Sequence, residues 1–275
     1  MAYRNTENFS HNSADKIGVI ITNLGTPEAP TAKALRPYLK EFLSDPRVVE
    51  FPRLLWKLIL NGVILNVRPA RSAKAYETVW TEQGSPLMFH TQNQATAIAE
   101  EMKQRFGDDV IVDFAMRYGK PSVSSAIERL AKQGVRKLLV LPLYPQYSAS
   151  TTASTFDAVA HDFTKRRWIP DFRFISHYHD RPEYIQAVAD SIRAHWEQNE
   201  KADKLMFSFH GIPKRYLLNG DPYHCECHKT ARLVAENLGL EKDEWQVVFQ
   251  SRFGREEWLK PYCDETLKDL PSQGV

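Results

Sequence analysis

Short apolar runs rich in β-branched and aromatic residues recur along this chain, at 17–23, 110–116, 137–144, 172–177, 204–210 and 246–251. Each has the length and composition of a buried strand. Helical periodicity fills most of the intervals. Over 31–43, Leu35, Leu39, Phe42 and Leu43 share a face; over 92–106, Ala95, Ile98, Ala99, Met102 and Phe106 do. Ser122 reads as the N-cap of a helix over 122–133, with Ile127 and Leu130 inward and Gly134 at its end. Pro182 opens another, carrying Ile185, Val188, Ala189, Ile192 and Trp196, and a last full helix covers roughly 228–238 before Gly239. Apolar strands alternating with helices predict an α/β protein whose parallel sheets are covered by helices on both faces.

The pattern runs twice. A polar tail over 1–15 precedes a first βα series at 16–165, and after the segment KRRWIPD a second series, 166–275, begins with the run at 172. This predicts two similar Rossmann-like lobes with a cleft between them. A short helix, DETLKDL, leads to Gly274 and Val275, where the first lobe's pattern would continue into a strand, so the second lobe reads as incomplete and the chain as truncated. Chain length and 43% hydrophobic content support a substantial core. A net charge of +2 gives no reason to expect a nucleic-acid partner. Three cysteines do not make a disulfide framework, and with no signal-peptide pattern at 1–15 the expectation is a reduced, cytoplasmic setting. The longest apolar stretch, at 54–65, contains Lys57 and Asn61 and is too short to span a bilayer, though it suits a transient contact with a membrane surface.

The segments with chemistry in them sit at predicted strand ends. In FSFHGIP, an apolar run ends on His210 and a Gly-Ile-Pro turn follows. An imidazole there, with a reference pKa of about 6.5, accepts a proton or ligates a divalent ion near neutrality. A packed or surface histidine is the plainer alternative. LPLYPQYSASTTAS offers Tyr144, Tyr147 and Ser148 in a nearly uncharged loop, or else a strand end followed by a helix cap. FAMRYGKP adds Arg117 and Tyr118; FQSRFGREEWLKPY adds Arg252, Arg255 and Trp258. Here the competing readings are a structural ion pair and a core tryptophan. Asp264 and Glu265 read as first-turn acids of the last helix. His224, Cys225, Cys227 and His228 crowd into YHCECHK, where zinc sites usually want separated pairs, and are read as a solvated loop and helix start. His177 and His179 in SHYHD read as strand-end surface residues. No G-x-G-x-x-G or P-loop string supports a nucleotide-binding α/β protein.

FSFHGIP, LPLYPQYSASTTAS and FQSRFGREEWLKPY together closely resemble ferrochelatase, over essentially the whole chain after the tail. The resemblance implies a chelatase-like fold with a porphyrin cleft between the lobes, and insertion of Fe(II) into protoporphyrin IX in the terminal step of haem biosynthesis. It makes ferrous iron a substrate and implies no prosthetic group. It assigns His210 to catalysis and to the metal. It places Leu24 of TNLGTPE beneath the metal-entry face, and Arg117, Tyr118, Tyr144, Tyr147, Ser148 and Trp258 along the porphyrin. Arg68 of NVRPARS and Ser85 of QGSPL match positions for the propionates. The stretch at 54–65 matches an apolar lip, which favours protoporphyrin over coproporphyrin. Some relatives hold a two-iron, two-sulfur cluster, but Cys225, Cys227 and Cys263 are too few and differently placed for it. The family's second catalytic group, a glutamate in a later acidic segment, has no match here, which leaves a non-catalytic porphyrin- or metal-binding protein as the alternative.

Overall fold

The computed structural model describes residues 3, 4, 11 and 15–274, so the tail expected over 1–15 lies almost wholly outside it. The first series comprises β1 (Lys16–Thr26), α1 (Ala32–Ser44), α2 (Arg53–Ile59), α3 (Leu65–Glu77), α4 (Pro86–Phe106) and β2 (Val110–Gly119). It continues through α5 (Val123–Lys132), β3 (Val135–Pro142), α6 (Ser154–Phe163) and β4 (Asp171–Phe174). The second comprises α7 (Pro182–Gln198), β5 (Leu205–His210), α8 (Lys214–Leu218), α9 (Tyr223–Leu238), β6 (Trp245–Gln250) and α10 (Cys263–Asp269). The described chain divides into two compact units, one of residues up to 144 with 149–176, the other of 145–148 with 177 onward.

The first unit holds an all-parallel sheet in the order β2-β1-β3-β4. The run at 172, expected to open the second lobe, instead hydrogen-bonds beside β3 as the edge strand β4. Side-chain alternation then sorts the apolar residues. Ile20, Leu138 and Val140 pack with Val123, Ile127 and Leu130 of α5 and Val159 and Phe163 of α6, whereas Val19 and Ile21 pack with Ala95 of α4. Both faces are thus covered, as a parallel sheet requires. Ser122 caps α5 as expected, its Oγ accepting from the Ser125 amide at 3.2 Å. Helix α4 starts six residues earlier than its periodicity suggested, because Pro86 suits a first turn. Its last aromatic, Phe106, expected on the inward face, is exposed. Between β1 and β2, Gly25 has φ 110° and sits so close to Tyr118 that a Cβ would fall 1.8 Å from the Tyr118 carbonyl oxygen, so no other residue fits.

The second unit is built on a two-stranded parallel sheet, β5 beside β6, in register from Leu205↔Trp245 to His210↔Gln250. Val247 and Phe249 of β6 join Ile212, Tyr216, Cys227, Ala231 and Leu259 in one core, and Ile185, Ala189 and Val234 knit α7 to α9 in another. Helix α9 begins at Tyr223, five residues before its expected start, so YHCECHK is its opening turns and not a solvated loop. Two π-helical turns occur, at Leu60–Ile64 between α2 and α3 and at Ala149–Ala153 leading into α6. Such turns are rare and concentrate at functional sites. Both fall in segments that the sequence singles out.

Candidate active site

The first unit gathers several of the expected residues at one edge. Leu24 lies near the carboxyl end of β1, Arg117 and Tyr118 at that of β2, and Tyr144 two residues past β3. The carboxyl edge of an open parallel sheet is where ligand crevices form. Leu24 is half-buried against the cluster formed by α1 and α3. The Tyr144 hydroxyl is buried with no hydrogen-bond partner among the described residues, and burial pushes its pKa up, so it stays protonated.

Arg117 and Tyr118 are tied into a polar network that the sequence did not announce. Asp45, just after α1 and 6% exposed, accepts from Tyr118 Oη at 2.8 Å and from Ser154 Oγ at 2.6 Å, and pairs with the Arg117 guanidinium. Arg117 Nε also donates to the Ser154 carbonyl at 2.8 Å. Burial alone would raise the Asp45 pKa. The hydrogen bonds from Ser154, the Arg47 amide and Tyr118, with the charge of Arg117, outweigh burial and hold it below the ordinary value. Tyr118 has no exposed surface at all. Its hydroxyl is taken up by Asp45 and Ser154. Asp45 and Ser154 are 72 and 37 residues from Arg117 in sequence, beyond the reach of any local pattern.

In the second unit, His210 is the last residue of β5, and it is exposed. Its Nδ1 lies 2.7 Å from the Gly211 carbonyl oxygen. A carbonyl only accepts, so Nδ1 is the donor here, and in the neutral ring Nε2 is the nitrogen that keeps a lone pair. Gly211 is fixed by its own amide donating to the Gln250 carbonyl at 2.7 Å, and a Cβ there would come within 3.0 Å of that oxygen and 3.2 Å of the Trp258 ring. Trp258, bridged to Pro213, stands with its ring centroid 6.4 Å from that of His210, and its buried Nε1 has no hydrogen-bond partner among the described residues. Tyr147 donates its backbone amide to Glu226 at 2.7 Å. Ser148 is buried and donates its hydroxyl to Asp221, which gives it a structural tie within this unit. Arg252 binds Asp264 and Glu265, consistent with the plain reading of those two acids.

Arg68 is on an exposed face of α3, and Ser85 is buried at the N-terminus of α4. His224 and His228 are one turn apart on α9, ring centroids at 4.4 Å, both held neutral by burial. Cys225 faces outward, Cys227 is in the core with its thiol pKa raised by burial, and neither forms a disulfide. A thiol that resists ionisation is a poor metal ligand. His179, expected on the surface, is buried beside Glu226.

The ferrochelatase family model matches residues 16–275. The chain belongs to the ferrochelatase family. Across all 275 residues it is 69% identical to the ferrochelatase of Idiomarina loihiensis, 66% to that of Pseudoalteromonas atlantica and 65% to that of Marinobacter nauticus. It spans 76%, 76% and 74% of those proteins. The fold is also that of SirB from Bacillus subtilis, solved with Fe3+, at a TM-score of 0.50 and 12% identity over 93% of this chain and 71% of that one. No described helix is long and apolar enough to cross a membrane.

Proposed function

We propose that this chain inserts ferrous iron into protoporphyrin IX to form protohaem, with both as substrates and no prosthetic group. The observation that carries the reading is the contact of His210 Nδ1 with the Gly211 carbonyl at 2.7 Å. With Nδ1–H held by the Gly211 carbonyl, Nε2 is an exposed base at the end of β5. Metal insertion exchanges two pyrrole protons for one divalent ion. A neutral imidazole takes up such a proton as the metal enters and passes it to water. Trp258 offers an aromatic surface beside it. In the first unit, Leu24 and Tyr144 supply apolar surface for the macrocycle, Arg117 and Tyr118 stiffen the edge behind it, and Arg68 and Ser85 answer the propionates. The exposed Leu54, Leu55, Leu58 and Val63 of 54–65 act as an apolar lip that admits the porphyrin and brushes a membrane surface. No observation favours a non-catalytic binding protein.

His210→Ala should reduce ferrous insertion, assayed anaerobically, by about 100-fold or more, the usual scale of a lost acid–base group. Porphyrin affinity, followed by fluorescence, should change little, because stacking supplies most of it. Near-normal turnover in the variant would remove His210 from the chemistry.

A further inference from the structure

We infer that His177, His179 and Glu226 form a divalent transition-metal site of the zinc type, separate from His210. Candidate ligand atoms of the three residues lie within 4.8 Å of one another. His177 Nδ1 is 3.1 Å from Glu226 Oε1, and His179 Nδ1 is 3.3 Å from Glu226 Oε2. The two histidines are two residues apart in the loop after β4, with ring centroids 5.3 Å apart and planes nearly perpendicular. Glu226 comes from the first turn of α9 and is itself buried.

The second observation is the state of His179. The residue is 6% exposed, yet its Nδ1 makes no directed hydrogen bond to any described residue, although a carboxylate oxygen stands 3.3 Å away. A buried imidazole nitrogen left in this way is costly. Its lone pair is satisfied if it and the carboxylate both point at a third centre. The ring's other nitrogen faces the Asp180 carboxylate at 3.9 Å, and Asp180 is held in turn by Lys229 at 2.6 Å. A carboxylate behind the ring is the usual support of a metal-bound histidine.

Two neutral imidazoles and one carboxylate suit Zn(II) and its neighbours better than magnesium or calcium, which want oxygen. With metal–ligand bonds of about 2.1 Å, tetrahedral ligand atoms stand roughly 3.4 Å apart, so a small rotation of the exposed His177 ring closes the set. The ion would join three segments distant in sequence: the loop after β4, the start of α9, and residues 145–148 through the Tyr147 amide on Glu226.

The test is equilibrium dialysis of the 275-residue chain against Zn(II) without porphyrin, in a His210→Ala background that removes the other metal-handling histidine. One equivalent should remain bound. Adding His177→Ala should weaken binding at least tenfold, and adding Glu226→Gln as well should abolish it. The His177 side chain is 51% exposed, so its removal leaves the fold intact, which circular dichroism verifies. Cobalt substituted for zinc should give visible d–d bands without a thiolate charge-transfer band. Zinc should raise the melting temperature of the His210→Ala chain more than that of His210→Ala/His177→Ala at the same concentration. Absence of bound zinc, affinity unchanged by His177→Ala, or a thiolate band from Cys225 or Cys227 would each overturn the assignment.

Discussion

Asp45 shows how much of this molecule is decided by single residues that no motif marks. Three side chains and one amide converge on its carboxylate, and the ionised form is the one they recognise. Asp45→Asn should therefore destabilise the first unit by about 3–5 kcal/mol, the cost of stranding a buried partner, here Arg117. Tyr118→Phe, which removes one donor and keeps the packing, should cost about 1.5–3 kcal/mol. Chemical denaturation of the two variants checks the order. The pH dependence has a definite sign. The folded-state pKa of Asp45 is depressed, so its contribution is fully present above the ordinary value of 3.8 and is lost as pH falls through the lower folded value. Stability of the parent chain should drop across that acid window, and Asp45→Asn should flatten the drop. An unchanged acid limb would mean that other carboxylates govern it.

At the scale of elements, the segment from α2 to the start of α3 carries two kinds of leucine. Leu60 and Leu65 are 2% exposed and pin the segment to α1, while Leu54 and Leu58 are 83% and 71% exposed. Leu54→Glu and Leu58→Glu should each change stability by no more than about 0.5 kcal/mol, whereas Leu60→Ala should cost about 2–5 kcal/mol. The glutamates should nonetheless weaken porphyrin uptake and binding to lipid vesicles. A stability loss as large as that of Leu60→Ala would show the outer leucines to be core. Much at this scale was legible in the sequence. The central strands β1 and β3 declared themselves because their runs are mostly apolar under helices on both faces, and the starts of α5 and α7 because Ser122 and Pro182 have strong positional meaning. The start of α9 was hidden because Tyr223, His224 and Cys225 have weak helix preference and the turns are held by tertiary packing. His210 was legible as a strand end followed by a turn. His179 and Glu226 were not, since the pairing of a loop with a helix 47 residues on leaves no local trace (226 minus 179).

At the scale of the whole molecule, the placement of β4 shows what alternation alone leaves open. The polar segment ahead of it reads as a boundary, yet Phe172 and Phe174 bury against Phe163 and Phe156 of α6, which draws the strand to β3. The first unit thereby gains a fourth strand, with β1 and β3 each paired on both sides. The second unit has β5 and β6 as its only strands among the described residues, and beyond their shared ladder β6 gains a single bridge, from Phe249 to Tyr262. Two-stranded sheets are marginal by themselves, so β5 and β6 must draw their order from α7 and α9. Local opening follows such differences in pairing and burial. Native-state hydrogen exchange should accordingly find the slowest amides in β1, at Val19 to Thr22, where both neighbours are strands and the side chains are buried. Amides of β5 from Met206 to Phe209 should exchange faster by an order of magnitude or more, since an opening that frees them need break only one ladder and the packing of half-exposed residues. A β5 as protected as β1 would mean that the helices of the second unit alone make it as cooperative as the first, and would refute the claim that strand pairing sets the stability gradient.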